Sequence, residues 1–479
     1  MKKTFLTNLI LLVFLNLLVK PFWIFGIDRT VQNTVGAEDY GVYAAMFSLS
    51  IILNILLDVG ITNFNNRNIA QHSQLLRKYF SNIVILKCLL GVIYAVIALA
   101  VGALLGFTFE KYKLFIFLIF NQFLLSFILY LRSNISGLHK YKTDSIVSVI
   151  DRVLMIVLCG YLLLTYRSYF KIEWFVYAQT ISYTITCAIA FIIVYRNASF
   201  FRIRFNFAFL LLIIKQSYPF ALLVLLMGLY TRMDMVMVEY LLPNGAEQAG
   251  IYAQSYRILD AVSMFAYLFA SLLLPMFAKM LRARDSIGQL TKLSFVLLII
   301  PTLVFVICTW FYAWELMNLM YHHHFNESTD IYKVLIIGFV PISSSYIFGT
   351  LLTANNSLRQ LNIIACCGMI LNFVLNMIFI PQHGAYGAAL ASVVTLYLTA
   401  IIQIVLSTRI FSFEIQYKTI FLLVVFIALT ITLCLTLKGA LSENWIYNMA
   451  MLMIIAFAGA FAIRLLRIKD LFAIVKHDV

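Results

Sequence analysis

Five charged residues interrupt long apolar stretches of the sequence and could do chemistry there. They are the bases Lys20, Arg232 and Arg257 and the acids Asp234 and Asp260. A guanidinium group can hold phosphate oxygens through two parallel hydrogen bonds, whereas a lysine ammonium acts as a compact point charge. The acids could carry a coupling proton or keep the arginines oriented. Together the five side chains predict a water-filled cavity that accepts an anion.

A structural interpretation of the same charges stays open. Arg257 and Asp260 are spaced i, i+3, so they share one face of a helix and could neutralise each other while locking helices together. Asp151 and Arg152 are expected one to two turns inside the cytoplasmic end of another helix, where either interpretation fits.

Three further charges are expected near helix ends. Asp58 and Lys87 fall near the cytoplasmic ends of their predicted helices, and Glu239 falls near an outer end. Long side chains in such places reach the membrane surface. We therefore expect Asp58 and Lys87 to be interfacial anchors, and Glu239 could be one too.

The composition places these charges in a membrane protein. Of 479 residues, 63% are hydrophobic and 11% are charged, and the mean hydropathy is +0.96. An ordinary soluble chain is about half apolar and about a quarter charged, so a soluble enzyme, a disordered tail and a secreted disulfide scaffold are excluded. Apolar runs of about 20 residues predict about fourteen transmembrane helices, the first being a retained span within residues 1–26.

The distribution of bases predicts the orientation of these helices. With the N-terminus inside, cytoplasmic loops and tails hold 23 of the 35 Lys and Arg, and outer loops hold 7. Basic residues concentrate in cytoplasmic loops. Both termini are therefore predicted to be cytoplasmic, and the net charge of +15 orients the chain rather than binding nucleic acid.

A nine-residue segment occurs twice. Residues 36–44 (GAEDYGVYA) and 245–253 (GAEQAGIYA) are identical at six positions, and each copy ends one predicted helix and opens the next. We predict two parallel-related six-helix bundles, at 1–205 and 206–415, followed by two additional helices and a tail at 416–479. In this arrangement all five cavity charges lie in the outer half of the bilayer, and parallel repeats place a substrate path between bundles.

Five segments carry a resemblance to a known family: Thr34–Tyr43, Leu57–Gly60, Asn65–Ala70, Asn372 with Asn376, and Pro381–Ala391. They resemble segments of the polysaccharide flippases, the O-antigen (Wzx-type) proteins of the multidrug/oligosaccharidyl-lipid/polysaccharide exporter superfamily. The length, the helix count and the layout of six, six and two helices also match that family.

This resemblance implies an all-α, MATE-like transporter of the bacterial inner membrane rather than an enzyme. Its substrate would be an undecaprenyl-pyrophosphate-linked oligosaccharide for O-antigen, capsule or another surface polysaccharide, flipped by alternating access. Lys20, Arg232 and Arg257 would attract the pyrophosphate, and Arg152 would be an inner waypoint. Asp234 or Asp260 would serve proton or sodium coupling.

The remaining expectations concern partners. We expect no cofactor, no nucleic acid, contact with membrane lipids and a monomer that works beside other polysaccharide-assembly membrane proteins. The run His322–His324 is expected to be a solvated loop, because three adjacent side chains cannot all reach one ion from a regular element.

Two alternative functions stay open. A multidrug exporter of the same superfamily usually needs an acid in the first cavity helix, whereas span 1 carries Lys20 and no acid. A membrane-embedded glycosyl polymerase or ligase typically needs a large outer loop, which the sequence lacks.

Overall fold

A computed structural model describes residues 18–19, 21–62, 65, 69, 74–138, 140–198, 207–414, 416–463 and 465–466. Throughout these residues the regular structure is helical, and no strand occurs among them. Helices are the expected form, because a spanning segment must satisfy its backbone hydrogen bonds internally.

The helices are numbered in chain order. Helix α1 is wound as a π-helix over Phe22–Asp28 and as an α-helix over Arg29–Val35. A short helix, Ala313–Met320, lies between α9 and α10. The other helices are α2 (Ala37–Asp58), α3 (Leu75–Leu104), α4 (Phe109–Gly137), α5 (Tyr141–Thr165), α6 (Ile172–Ala198), α7 (Phe207–Leu241), α8 (Gly245–Ala283), α9 (Gly288–Phe311), α10 (Phe325–Ala354), α11 (358–383), α12 (385–411), α13 (Tyr417–Leu437) and α14 (Trp445–Ala462).

Helices α11 and α12 form one continuous element, Leu358–Phe411, that is broken at Gly384. Gly384 has φ 61° and ψ −142°, which glycine adopts far more readily than other residues. A straight 54-residue helix would be about 81 Å long, more than twice the hydrocarbon thickness of about 30 Å. The element therefore supplies two crossings.

The predicted fold class is confirmed. Twelve helices of the described part are long and apolar enough to span a membrane, and dividing Leu358–Phe411 makes thirteen crossings. The predicted first span lies largely outside the described residues. The described part therefore accounts for every later span of the fourteen predicted.

The chain separates into two compact units, Met1–Gly250 and Ile251–Val479. Within the first unit α7 packs along α2. Within the second unit α13 and α14 pack on α9, where buried Phe426 and Leu452 meet Ile300. The bundle boundaries inferred from the repeat, at 205 and 415, stay a prediction.

The two copies of the repeated segment begin α2 and α8 and touch within the first unit. A Cβ atom built on Gly41 would lie 1.8 Å from the carbonyl oxygen of Ala246. One built on Gly250 would lie 1.9 Å from the carbonyl oxygen of Ala37. Small residues are what allow two membrane helices to approach backbone to backbone. The repeat is therefore also a close helix crossing, to which the amide of Gln32 adds a 2.8 Å hydrogen bond on the Gly250 carbonyl.

Candidate functional site

Arg152 lies between two aromatic rings in the first unit. Its guanidinium carbon is 5.6 Å from the ring centre of Trp23 on α1 and 5.9 Å from that of Tyr183 on α6. Its Nη1 donates to the Tyr183 hydroxyl at 3.3 Å and reaches the Met155 sulfur at 3.4 Å. Aromatic faces attract cations. Residues from α1, α5 and α6 thus hold this charge between the three helices.

Other aromatic residues fix this arrangement. Trp23 stacks on Phe175 with ring centres 5.7 Å apart and planes 4° apart. Phe175 meets Tyr43 edge-on at 5.4 Å, and the Tyr43 hydroxyl accepts a 3.0 Å hydrogen bond from the Gln179 amide. We call Trp23, Tyr43, Arg152, Phe175 and Tyr183 the Arg152 box.

The Arg152 guanidinium keeps hydrogen-bonding capacity in spite of these contacts. Its Nε is 3.8 Å from a carboxylate oxygen of Asp151, a loose ion pair, and the side chain is 26% exposed. Its Nη2 forms no hydrogen bond with any described residue. Guanidinium carries five N–H donors in a planar fork. The box can therefore present donors to an incoming anion.

The helix that carries Arg152 begins earlier than the predicted span. We expected Arg152 one to two turns from the inner end of a span starting at residue 146. The structure begins α5 at Tyr141, so Arg152 lies about 16 Å along the helix, near its midpoint. The polar residues at 141–145 continue the helix although they lie outside the apolar run.

The first helix does contain an acid, contrary to our interpretation of span 1. We expected that span to end near residue 26, but α1 continues to Val35 and includes Asp28. The Tyr40 hydroxyl donates a 3.0 Å hydrogen bond to the Asp28 carboxylate. The predicted Lys20 lies outside the described residues.

Arg232 and Asp234 lie in the C-terminal part of α7, about 14 Å and 11 Å before its last residue. Arg232 is half-buried, and Asp234 is 1% exposed. Both have interaction partners. A buried carboxylate in a membrane helix is expensive unless it is paired or functional.

Arg257 and Asp260 lie on α8 in the second unit and differ in burial. Arg257 is 7% exposed, and its Nη1 donates to the Tyr321 hydroxyl at 3.4 Å. That hydroxyl donates in turn to the Gln254 carbonyl at 3.2 Å. Asp260 is exposed, one turn further along the helix.

The structure thus places one predicted arginine on a tyrosine hydroxyl in each unit. The pairs are Arg152 with Tyr183 and Arg257 with Tyr321. Sequence reasoning missed both tyrosines. Tyr183 had a signal, since it lies in the middle of α6 and not near a helix end, where membrane tyrosines are usual. The roles assigned to the arginines stay predictions.

The expectation of separate interfacial anchors at Asp58 and Lys87 is wrong. Lys87 is 1% exposed and forms an ion pair with Asp58. Its Nζ also donates to the Leu57 carbonyl and to the Ser126 hydroxyl, both at 3.0 Å. This cluster joins α2, α3 and α4.

Glu239 is not a free interfacial anchor either. Its side chain is buried and contacts Lys111 Nζ at 2.7 Å, which links α7 to the start of α4. In the histidine run that we expect to be a solvated loop, His322 and His323 are exposed. His324 is half-buried, with its Nδ1 3.7 Å from Glu327. No group of three His, Cys, Asp or Glu suited to a metal occurs among the described residues.

The sequence profile of a family described as "Polysaccharide biosynthesis protein" matches residues 5–281. No curated protein matches the sequence.

Several solved transporter structures resemble the chain in fold. A lipid II flippase, MurJ, in an inward closed conformation gives a TM-score of 0.70 at 14% identity, covering 95% of this chain and 99% of that one. An inward-facing multidrug resistance MATE family transporter of the MOP superfamily gives 0.59 at 15% identity, covering 81% and 94%. A MOP superfamily transporter from Pyrococcus furiosus gives 0.58 at 15% identity, covering 85% and 94%.

Proposed function

The chain belongs to the family of polysaccharide biosynthesis proteins, whose profile covers more than half of it, and we propose that it flips a lipid-linked oligosaccharide. The substrate is an undecaprenyl-pyrophosphate-linked repeat unit, moved across the bacterial inner membrane by alternating access. The product serves O-antigen, capsule or another surface polysaccharide. The proposal rests on one observation beyond family and fold, which is the Arg152 box.

The box supports an anionic substrate because it holds a cation inside the membrane without neutralising it fully. An arginine at the centre of a membrane helix is unfavourable by roughly 2.5–3.5 kcal/mol on insertion scales. Trp23 and Tyr183 offset part of this, and Asp151 pairs only at 3.8 Å. The donors that remain can grip pyrophosphate oxygens in the bidentate manner of guanidinium.

Arg232, Arg257 and Lys20 supply further positive charge in this proposal. Arg257 is oriented by Tyr321, as Arg152 is by Tyr183. The attraction of the pyrophosphate is shared among several cations in this proposal, so that no single cation holds it too tightly. Arg152 acts as the waypoint on the inner side in this proposal.

The lipid part of the substrate needs an apolar path. A groove of about 520 Å³ lies between α9 and α14 in the second unit. Pro301, Phe305, Met453 and Phe457 are among its apolar lining residues. A prenyl chain of the substrate fits such a surface by hydrophobic contact, and it needs no polar partner there.

We propose that Asp234 or Asp260 couples flipping to a proton or sodium gradient. Asp28 becomes a third candidate because the structure places it in α1, bonded to Tyr40. The test is sugar-lipid transport in vesicles with and without each gradient. Gradient dependence that survives Asp28→Asn, Asp234→Asn and Asp260→Asn would exclude all three.

The head-group proposal is tested by surface polysaccharide at matched protein level. Lys20, Arg152, Arg232 and Arg257 are each replaced by alanine. The matched control is the same change at Arg167, an exposed residue of the short 3-10 turn between α5 and α6. We expect reduced export in the four cavity variants and full export in the control. Full export in all four would refute the proposal.

A multidrug exporter is the second candidate, and Asp28 is the observation that favours it. An acid in the first helix suits a cationic drug, and Tyr40 orients this one. A susceptibility panel on a deletion strain separates the two functions: loss of surface polysaccharide with unchanged drug resistance supports the flippase.

Family and fold are those of transporters, and the proposal includes no bond-making step. A glycosyl polymerase or ligase is the less favoured alternative, and new glycosidic bonds made by the purified protein would establish it. We further propose that both termini are cytoplasmic and that the protein is a monomer among membrane lipids and other polysaccharide-assembly proteins.

A further inference from the structure

A second cavity lies at one end of the second unit and is lined by none of the four cations assigned to the pyrophosphate. Its volume is about 680 Å³, and it lies where α8 and α12 end and α9 and α13 begin. We call it the loop pocket. Its lining includes Arg284, Asp285, Lys292 and Glu414 among polar residues, and Phe295 and Ile420 among apolar ones. Both connections that form it are predicted to be cytoplasmic, so it faces the inner leaflet.

The charges of the loop pocket are balanced but not paired. Arg284, Asp285, Lys292 and Glu414 are all exposed. None of the four forms an ion pair with another described residue. Two cations and two acids that face one cavity without neutralising each other suit a ligand that itself carries both signs.

Part of the remaining lining is apolar, among uncharged polar residues such as Gln289 and Thr291. Phe411 stacks on Phe413 with ring centres 5.6 Å apart, and Phe295 packs on Phe348 at 5.8 Å. On α13, Ile420 is 52% exposed one turn after the helix begins. An acyl chain could leave the polar part of the pocket along this side.

The backbone at Arg284 favours a role for its side chain. Arg284 has φ 60° at the end of α8, and the next amide closes the helix by donating to the Met280 carbonyl at 3.0 Å. Glycine is the usual residue at such a helix end because it has no Cβ to strain. An arginine is present here although glycine would close the helix with less strain. Ser412 repeats this feature at the end of α12, with φ 51°.

We propose that the loop pocket binds one zwitterionic aminophospholipid of the inner leaflet. The phosphodiester lies against Arg284 and Lys292, and the ammonium group lies against Asp285 and Glu414. One acyl chain follows Phe295 and Ile420. Charge-assisted hydrogen bonds of this kind recognise phosphate strongly. The site is separate from the Arg152 box and does not depend on what the protein transports.

The test is lipid retention by the purified full chain, measured by native mass spectrometry after delipidation. The probes are phosphatidylethanolamine, phosphatidylglycerol and inorganic phosphate. We expect one tightly held phosphatidylethanolamine, at least tenfold weaker retention of phosphatidylglycerol, and no competition by phosphate at millimolar concentration.

Four variants decide between the possible explanations. Arg284→Gly removes the cation while relieving the strained backbone, so it folds at least as well as the wild type and should weaken retention at least tenfold. Lys292→Gln should act in the same direction. Asp285→Asn with Glu414→Gln should abolish the preference for phosphatidylethanolamine. Lys279→Gln, an exposed cation of α8 outside the pocket lining, is the control and should change nothing.

Three results would overturn the proposal. They are unchanged retention in Arg284→Gly and Lys292→Gln, equal retention of the two phospholipids by the wild type, and displacement of the lipid by free phosphate. The last result would assign the pocket to a soluble phosphate compound.

Discussion

Two cations inside the first unit are held in opposite ways. Lys87 is 1% exposed, and its ammonium meets three acceptors: the Asp58 carboxylate, the Leu57 carbonyl and the Ser126 hydroxyl. An ammonium has three donors, so none is left over. Arg152 is 26% exposed and is held by two rings, one hydroxyl, a thioether and a distant carboxylate.

The difference separates a structural charge from a functional one. Lys87 is fully satisfied by its own protein, so a ligand has nothing to offer it, and its removal should harm folding. Arg152 is oriented but only partly satisfied, so its removal should spare folding and harm recognition. Each prediction below tests one side of this comparison.

The largest expected effect is a loss of folded protein when the close crossing of α2 and α8 is disrupted. Gly41→Val puts side-chain atoms where Ala246 presents its carbonyl oxygen, only 1.8 Å from an ideal Cβ. Backbone cannot move aside cheaply, so we expect little folded protein in the membrane. Gly228→Ala is the control, since nothing lies within 4 Å of its Cβ position. Normal folded yield of Gly41→Val, measured by monodisperse elution, would contradict the crossing.

Lys87→Met should destabilise the protein by about 3–5 kcal/mol, because it leaves a carboxylate with its partner removed from a buried pair. We expect a large drop in the melting temperature, while transport per folded molecule stays unchanged. Adding Asp58→Asn to Lys87→Met should restore part of the loss, since the uncompensated charge is gone. A stable Lys87→Met variant with impaired transport would contradict this, because it would show that Lys87 is needed for transport rather than for folding.

Arg152→Ala should leave the melting temperature nearly unchanged and reduce transport at least tenfold, equivalent to about 1.4 kcal/mol. Arg152→Lys should recover part of the activity, because a point charge attracts phosphate without the bidentate fork. The measurement is transport of the lipid-linked sugar in vesicles. A strongly destabilised Arg152→Ala would remove the distinction from Lys87.

Tyr183→Phe should give the smallest effect. It removes the hydroxyl that accepts from Arg152 at 3.3 Å but keeps the ring beside the guanidinium. One hydrogen bond to a charged group contributes about 1.5–3 kcal/mol when well formed. Because this contact is long, we expect only a two- to fivefold loss of transport. Tyr321→Phe, the equivalent change beside Arg257, should act similarly.

The membrane-spanning helices were predictable from the sequence, whereas most side-chain contacts between them were not. Apolar runs identify the spans, because the thickness of the bilayer fixes their length. They identify helix ends less well, since polar residues extend α5 back to Tyr141 and α1 on to Val35. Residue type and position within an apolar run are enough to predict a role for Arg152.

The partners of these charges required the fold. Tyr183 is 31 residues from Arg152, and Asp58 is 29 residues from Lys87. Spacing within one helix predicts neighbours at three or four residues but not which faces of different helices meet. The repeat was visible as a sequence pattern, whereas its contact between Gly41 and Ala246 was not.

The most direct test of the account is binding of undecaprenyl pyrophosphate to the purified protein, compared with the uncharged undecaprenol. The account predicts that Arg152→Ala weakens binding of the pyrophosphate lipid at least tenfold and leaves binding of undecaprenol unchanged, at an unchanged melting temperature. Equal affinity of wild type and Arg152→Ala for the pyrophosphate lipid would contradict it.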